Sequence, residues 1–310
     1  MSHNDPDLSA PKPEEVSRET SVTPGPSCPV CGSTGYRTKI VLQDYSVSRE
    51  TFRIAECTGC GLQRTLPVPA KLEPYYESEA YISHSKTKKG IINKLYHIAQ
   101  RFNLGYKYRF LPKPKHRLTI IDYGCGAGDF LKYVHDKDHP VHGVEPHEPS
   151  RKKLISQGFS VQSPEEYFRE VTPADCITMW HVLEHVADPN KLLQKHRELL
   201  TEQGTLIIAV PNRESADAVT YKKYWAAYDV PRHLWHFGEK DIKHLADLNG
   251  FTLAGVHGLP LDAFYISLLS EKYRGGNFLR ALTKATASNV SAALSSANYS
   301  SKVYILRKKA

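Results

Sequence analysis

The stretch Ile120-Ile121-Asp122-Tyr123-Gly124-Cys125-Gly126-Ala127-Gly128-Asp129-Phe130-Leu131 decides the fold of this chain. Two apolar residues run into an acid, three glycines follow at alternate positions, and a helical pattern begins. A buried strand ends at Asp122. The glycines carry no Cβ and tolerate positive φ, so the backbone turns tightly and comes close to a ligand. The next helix presents its free N–H groups at that turn. The phosphate-binding fingerprint spaces its glycines G-x-G-x-x-G; here they read G-x-G-x-G. No basic residue stands in the turn to neutralise a pyrophosphate. A second strand, Val141-His142-Gly143-Val144-Glu145, ends in an acid where α/β nucleotide folds bind ribose hydroxyls. The turn therefore suits a nucleoside with a zwitterionic amino-acid tail better than a dinucleotide.

Two later segments follow in order. Ala174 to Trp180 reads as an apolar strand leading into His181-Val182-Leu183-Glu184-His185, and Gly204 to Asn212 as another strand. Together these motifs resemble the class I S-adenosylmethionine-dependent methyltransferases of the small-molecule group, over residues 118–310. The resemblance implies an α/β fold with a Rossmann-like seven-stranded sheet. The sheet is mostly parallel, with strand seven antiparallel beside strand five. It implies S-adenosylmethionine as cofactor. Asp122, Gly124, Cys125, Gly126 and Gly128 then hold its methionine end, Glu145 and Pro146 the ribose, and Ser163 the adenine side. Trp180 borders the cofactor at the end of strand four. A tyrosine-rich segment ahead of the core folds over the cofactor in related enzymes, which points to Tyr76, Tyr81 or His84.

Upstream, Cys28-Pro29-Val30-Cys31-Gly32 and Cys57-Thr58-Gly59-Cys60-Gly61 are two C-x-x-C-G knuckles with 25 residues between Cys31 and Cys57. Two thiolates from each turn make a tetrahedral four-sulfur site. Ile40–Leu42 and Thr51–Ile54 read as strands between them. The unit is similar to a zinc ribbon, with Cys28, Cys31, Cys57 and Cys60 as ligands of a structural Zn2+. Cys125 and Cys176 read as small packing residues.

The organisation expected is a disordered tail over 1–26, the zinc-ribbon module over 27–67, a linker and basic helical lid over 68–117, and the methyltransferase domain over 118–310. The tail is rich in Pro, Ser and Glu and has too little apolar surface to order itself. In the lid, Ile91, Leu95, Ile98 and Phe102 make one apolar helical stripe. The net charge of +8 is local: residues 80–121 carry ten Lys or Arg and no acid, leaving −2 for the rest. That places one anionic partner surface there. No apolar run reaches the ~20 residues of a membrane span, and no secretory leader is legible, so a cytoplasmic protein is expected.

After strand five, Trp225 to Phe237 packs four aromatic residues, two histidines, an arginine and an acid into thirteen positions. It resembles the D-x-P-R-H loop of methyltransferases acting on metabolites. Arg232 can clamp an anionic group in two-pronged fashion, and His233 can serve as a base. Tyr228 and Asp229 flank them, and an Asp229–Arg232 brace is the structural alternative. His181 follows its strand directly and should face the cleft, with His181 or His233 deprotonating the substrate; His185 reads as structural. The function expected is O- or C-methylation of a small-molecule or carbohydrate-type metabolite. The alternative is RNA base methylation through the cysteine module and basic segment, and a third reading is a non-catalytic zinc-ribbon binder.

Overall fold

The computed structural model describes residues 22–76, 91–113, 117–170, 172–294 and 298–309, with first-helix side chains from Gln100 onward. Most of the expected tail, Tyr81, His84 and the basic residues Lys86, Lys88, Lys89 and Lys115 lie outside the described residues. β1 (Val22–Pro24) pairs antiparallel with β2 (Gly35–Gln43), so strand structure starts inside the stretch expected to be tail. β3 (Thr51–Cys57) and β4 (Gln63–Leu66) complete the cysteine-bearing meander.

α1 (Ile91–Tyr108) then leads to the main sheet. Its strands and helices follow as β5 (Ile120–Tyr123), α2 (Asp129–His135), β6 (Val141–Val144), α3 (Glu148–Ser156), β7 (Ser160–Gln162) and α4 (Pro164–Tyr167). Next come β8 (Ala174–Trp180), α5 (Pro189–Leu199), β9 (Leu200–Pro211), α6 (Ala216–Tyr221) and the two-residue β10 (Trp235–His236). The chain continues with α7 (Glu239–Leu248), β11 (Phe251–Gly258), α8 (Asp262–Tyr273), α9 (Phe278–Leu294) and β12 (Ser301–Lys308).

The strand order is β11-β12-β9-β8-β5-β6-β7. The pairs from β9 to β7 are parallel, while β12 runs antiparallel to both β9 and β11. This is the seven-stranded α/β arrangement expected, with the last strand inserted beside the fifth. Ile120, Ile121, Cys176, Ile177, Met179 and the run Leu206 to Val210 are all buried. Strands covered by helices on both faces need such continuous apolar runs.

Two local readings change. β9 starts at Leu200 rather than at Gly204: α5 ends at Leu199, and Leu200 is buried and pairs with Ala174. Phe102 on the apolar stripe of α1 is 60% exposed, while Leu104, Tyr106 and Tyr108 pack against the core.

The cysteine meander is tied to the main body. β10, from the loop after β9, adds to the edge of β4, with Trp235 opposite Arg64 and His236 opposite Gln63. Cys28, Tyr36, Ala55 and Leu66 share one apolar cluster with Met179, Ile208 and Trp235.

Candidate active site

The glycine turn is built as its sequence requires. Gly124 and Gly128 have φ of 75° and 79°, in the left-handed region. A Cβ on Gly124 would meet Val182 Cγ2 at 2.4 Å, and one on Gly128 would meet Leu154 Cδ2 at 2.4 Å. Both positions thus need glycine for conformation and for close approach. Glu145, at the end of β6, accepts the Gly126 N–H at 2.7 Å on one oxygen and the His147 N–H at 2.8 Å on the other. The acid therefore orders the turn. Asp122 is 2% exposed and accepts a hydrogen bond from Thr178 Oγ1 at 2.7 Å. Burial pushes its carboxyl up to about 7, against the Thr178 bond and the Lys107 charge.

Beside this turn lies a cavity of about 300 Å³. Asp122, Gly124, Cys125 and Trp180 line it, as expected of cofactor residues. Gly126, Gly128, Glu145, Pro146 and Ser163 are not on this wall. Ser163 instead caps α4, its hydroxyl accepting from the Glu166 N–H at 3.2 Å and its own N–H donating to Glu166 at 2.6 Å. Gln100, Asn103, Lys107, Asp129 and Phe130 also line the cavity and were not anticipated. The α1 members reach it because the helix folds over the ends of β5 and β8, which no local sequence signal reveals. The Lys107 ammonium lies 4.8 Å from the Trp180 ring centroid, and burial lowers its pKa against Asp262, Asp122 and Asp129. Trp180 Nε1 is buried with no hydrogen-bond partner among the described residues. The glycine cradle and the buried acid together suit a nucleoside with an amino-acid tail.

Beyond Trp180 the chain enters the second half of the site. His181 has φ of 59°. Its Nε2 lies 2.9 Å from Asp262 Oδ2 on α8, and its Nδ1 3.4 Å from Glu184 Oε1. Desolvation opposes its charge, but the two carboxylates outweigh it and raise the imidazole to about 9. A raised imidazole pKa favours the charged form at neutral pH and weighs against the expected role of His181 as a base.

The loop after β9 brings in the rest. His233 Nδ1 donates to the Ala227 carbonyl at 2.9 Å, and its Nε2 lies 3.7 Å from Asp229 Oδ2. Arg232 and Asp229 form a close ion pair, so the bracing alternative is what the geometry contains. The Arg232 guanidinium also lies 5.9 Å from the Tyr76 ring. Tyr228, expected at the acceptor, is 6% exposed, packed edge-on against Trp225 and His236. Burial pushes its hydroxyl up to about 12. His185 reaches this cluster too. Its Nδ1 bonds the Arg232 carbonyl at 2.9 Å and faces Tyr76 Oη at 3.1 Å. Desolvation and the neighbouring His233 lower its pKa to about 4.

The cysteine knuckles converge as their spacing predicts. Cys28 Sγ is 3.5 Å from Cys60 Sγ, and Cys31 Sγ 3.5 Å from Cys57 Sγ, with no disulfide. The four sulfurs lie within 4.8 Å of one another. Tetrahedral Zn–S bonds of ~2.3 Å put sulfurs about 3.8 Å apart, so the set could hold such an ion. Burial raises the Cys28 and Cys60 thiols, whereas the Cys60 and Gly59 N–H groups and the neighbouring sulfurs outweigh burial at Cys57 and bring it down to about 7, so with no ion present one proton-poor thiol sits among protonated neighbours. This site touches the other: Thr65 Oγ1 on β4 donates to the His233 carbonyl at 2.6 Å and meets His236 Nε2 at 2.9 Å.

Comparison with known proteins agrees with this geometry. A family model described as a methyltransferase domain matches residues 95–255, just over half of the chain. The ubiquinone biosynthesis O-methyltransferase of Actinobacillus pleuropneumoniae serotype 5b is 26% identical over 169 residues, covering 50% of this chain and 72% of that protein. The protein of the same name from Caulobacter sp. strain K31 is 28% identical over 193 residues, 55% of this chain and 74% of that protein. Among solved structures, a SAM-dependent methyltransferase from Archaeoglobus fulgidus aligns at 18% identity with a TM-score of 0.47, covering 67% of this chain and 94% of that one. The chain belongs to the methyltransferase-domain family and is a class I S-adenosylmethionine-dependent methyltransferase.

Proposed function

We propose that this enzyme methylates a hydroxyl oxygen of a small molecule held between the end of β8 and the loop 225–237. The observation that carries the reading is the polar cluster of His181, Glu184, His185 and His233, which begins at the residue after Trp180 on the cavity wall. The relatives named as O-methyltransferases support oxygen as the acceptor atom. S-adenosylmethionine supplies an electrophilic methyl group on a sulfonium, and the protein supplies position and electrostatics. Asp122, Gly124, Cys125 and Trp180 would hold it in the cavity, with Glu145 ordering the turn. His181, with its ring nitrogens turned to Asp262 and Glu184, contributes positive charge beside the acceptor end. His233 is oriented by the bond from its Nδ1 to the Ala227 carbonyl, which leaves Nε2 directed away from that carbonyl. The cysteine module acts as a structural zinc ribbon, its four thiolates closing the coordination sphere. The module keeps the acceptor loop in place through β10.

The test is transfer of a deuterated methyl group from the cofactor to panels of phenols, sugar hydroxyls and amines, read by mass spectrometry. Phenol or alcohol ethers as products support the reading. Methylation confined to nitrogen or carbon acceptors overturns it.

A further inference from the structure

We propose that Glu184, His185 and His233 form a divalent transition-metal site at the acceptor end of the pocket, separate from the four cysteines. One ligand atom from each of the three residues lies within 4.8 Å of the other two. Glu184 is 1% exposed, and neither of its oxygens has a hydrogen-bond partner among the described residues. Its charge is met at longer range by His181 Nδ1 at 3.4 Å and by the His233 and His185 rings, which leaves both oxygens with lone pairs open to a bound cation.

The two histidines are oriented as metal ligands are. His185 Nδ1 bonds the Arg232 carbonyl and His233 Nδ1 bonds the Ala227 carbonyl, both at 2.9 Å. A carbonyl only accepts, so each Nδ1 carries the proton and each Nε2 keeps its lone pair. Metal-binding imidazoles usually have this outer bond, which fixes the tautomer and the ring plane. The rings meet edge-on with centroids 4.6 Å apart, and Asp229 Oδ2 lies 3.7 Å from His233 Nε2 as a nearby further oxygen. Two imidazoles and one carboxylate select first-row divalent ions over Mg2+ or Ca2+ and leave coordination positions open.

The role of the ion rests on the O-methylation reading; its binding does not. An open position would take the acceptor hydroxyl oxygen and lower its pKa. The hydroxyl proton leaves to solvent and an oxygen lone pair forms the new O–C bond. The C–S bond breaks with its electron pair staying on sulfur.

The test uses the full chain with zinc in its cysteine site, titrated with Mn2+, which thiolates bind poorly. Free Mn2+ is read by electron paramagnetic resonance, with no acceptor present. We expect one Mn2+ per chain in the wild type, weakened about tenfold or more in E184Q and in H233A. H185Q serves as the third variant, and calorimetry with S-adenosylhomocysteine reports whether each variant is folded. The inference is overturned by absence of Mn2+ binding in the wild type, or by folded variants that bind as the wild type does. Metal bound normally alongside failure to methylate any hydroxyl would sink the function reading and leave the site standing.

Discussion

His181 Nε2 at the end of β8 lies 2.9 Å from Asp262 Oδ2 at the start of α8. The contact joins positions 81 residues apart and ties the start of α8 to the end of β8. Asp262 and Glu184 raise His181 to about 9 over the opposing effect of burial. A folded-state pKa above the unfolded value of ~6.5 gives stability that is fully present below pH 6.5. That stability is lost as pH rises through 9. We therefore expect Asp262→Asn to lower the denaturation midpoint clearly at pH 6 and hardly at pH 10. Equal losses at both pH values would show that Asp262 acts through packing alone.

His196 presents the opposite case. It is fully buried, 2.5 Å from Tyr167 Oη and 3.2 Å from Met179 Sδ, and burial drives its pKa down to about 3. The unfolded chain takes up a proton near pH 6.5 that the folded chain refuses until about pH 3. Stability is complete above pH 6.5 and drains away as pH falls through that window, by on the order of a few kcal/mol. His196→Gln should lower stability at pH 7.5 yet flatten its decline between pH 6.5 and 4. A decline as steep as that of the wild type would assign acid sensitivity to other groups.

Asp122 should couple cofactor binding to proton release. Its carboxyl is pushed up to about 7, so near pH 7 the free enzyme holds it partly protonated. A sulfonium and an ammonium entering the cavity favour the carboxylate. Calorimetric titration with S-adenosylmethionine at pH 7, in buffers of different ionisation enthalpy, should show a fraction of a proton released per site. Asp122→Asn should abolish that release and weaken binding by about tenfold or more.

Thr65 ties the cysteine module to the acceptor loop. Its buried hydroxyl donates to the carbonyl of His233, 168 residues away in sequence, and meets His236. Thr65→Val keeps the shape and strands both partners, which costs about 1–3 kcal/mol for a buried group. We expect a lower melting temperature and a raised KM for the methyl acceptor, with cofactor affinity and zinc content unchanged. Loss of zinc in this variant would instead mean that the hydroxyl supports the ribbon itself.

Much of this molecule could be read locally. The glycine turn, the apolar strands and the two cysteine knuckles each declare themselves within a dozen residues, because strand burial, tight turns and paired thiolates impose patterns on neighbouring positions. The expected sheet order, including the antiparallel last strand, came from resemblance to a family. The acceptor end was only partly legible. His181, Glu184, His185 and His233 were visible as polar residues near strand ends, but their protonation was not. The charge of His181 depends on Asp262, which lies on a distant helix and leaves no trace in the residues around His181. Tyr228 was visible as a residue flanking Arg232 and His233, but its packing was not, since burial depends on which face of the loop meets Trp225 and His236.

The sequence by itself determined the buried apolar strands, the glycine cradle beside Asp122 and the convergence of Cys28, Cys31, Cys57 and Cys60, because backbone conformation and periodic burial are local properties of the chain. Only the tertiary structure decided that Lys107 covers Trp180, that β10 joins the cysteine meander to the acceptor loop, and that the Glu184 carboxylate is buried without a hydrogen bond beside His185 and His233. Charge state and coordination depend on the distances between side chains remote in sequence, and those distances exist only once the chain has folded.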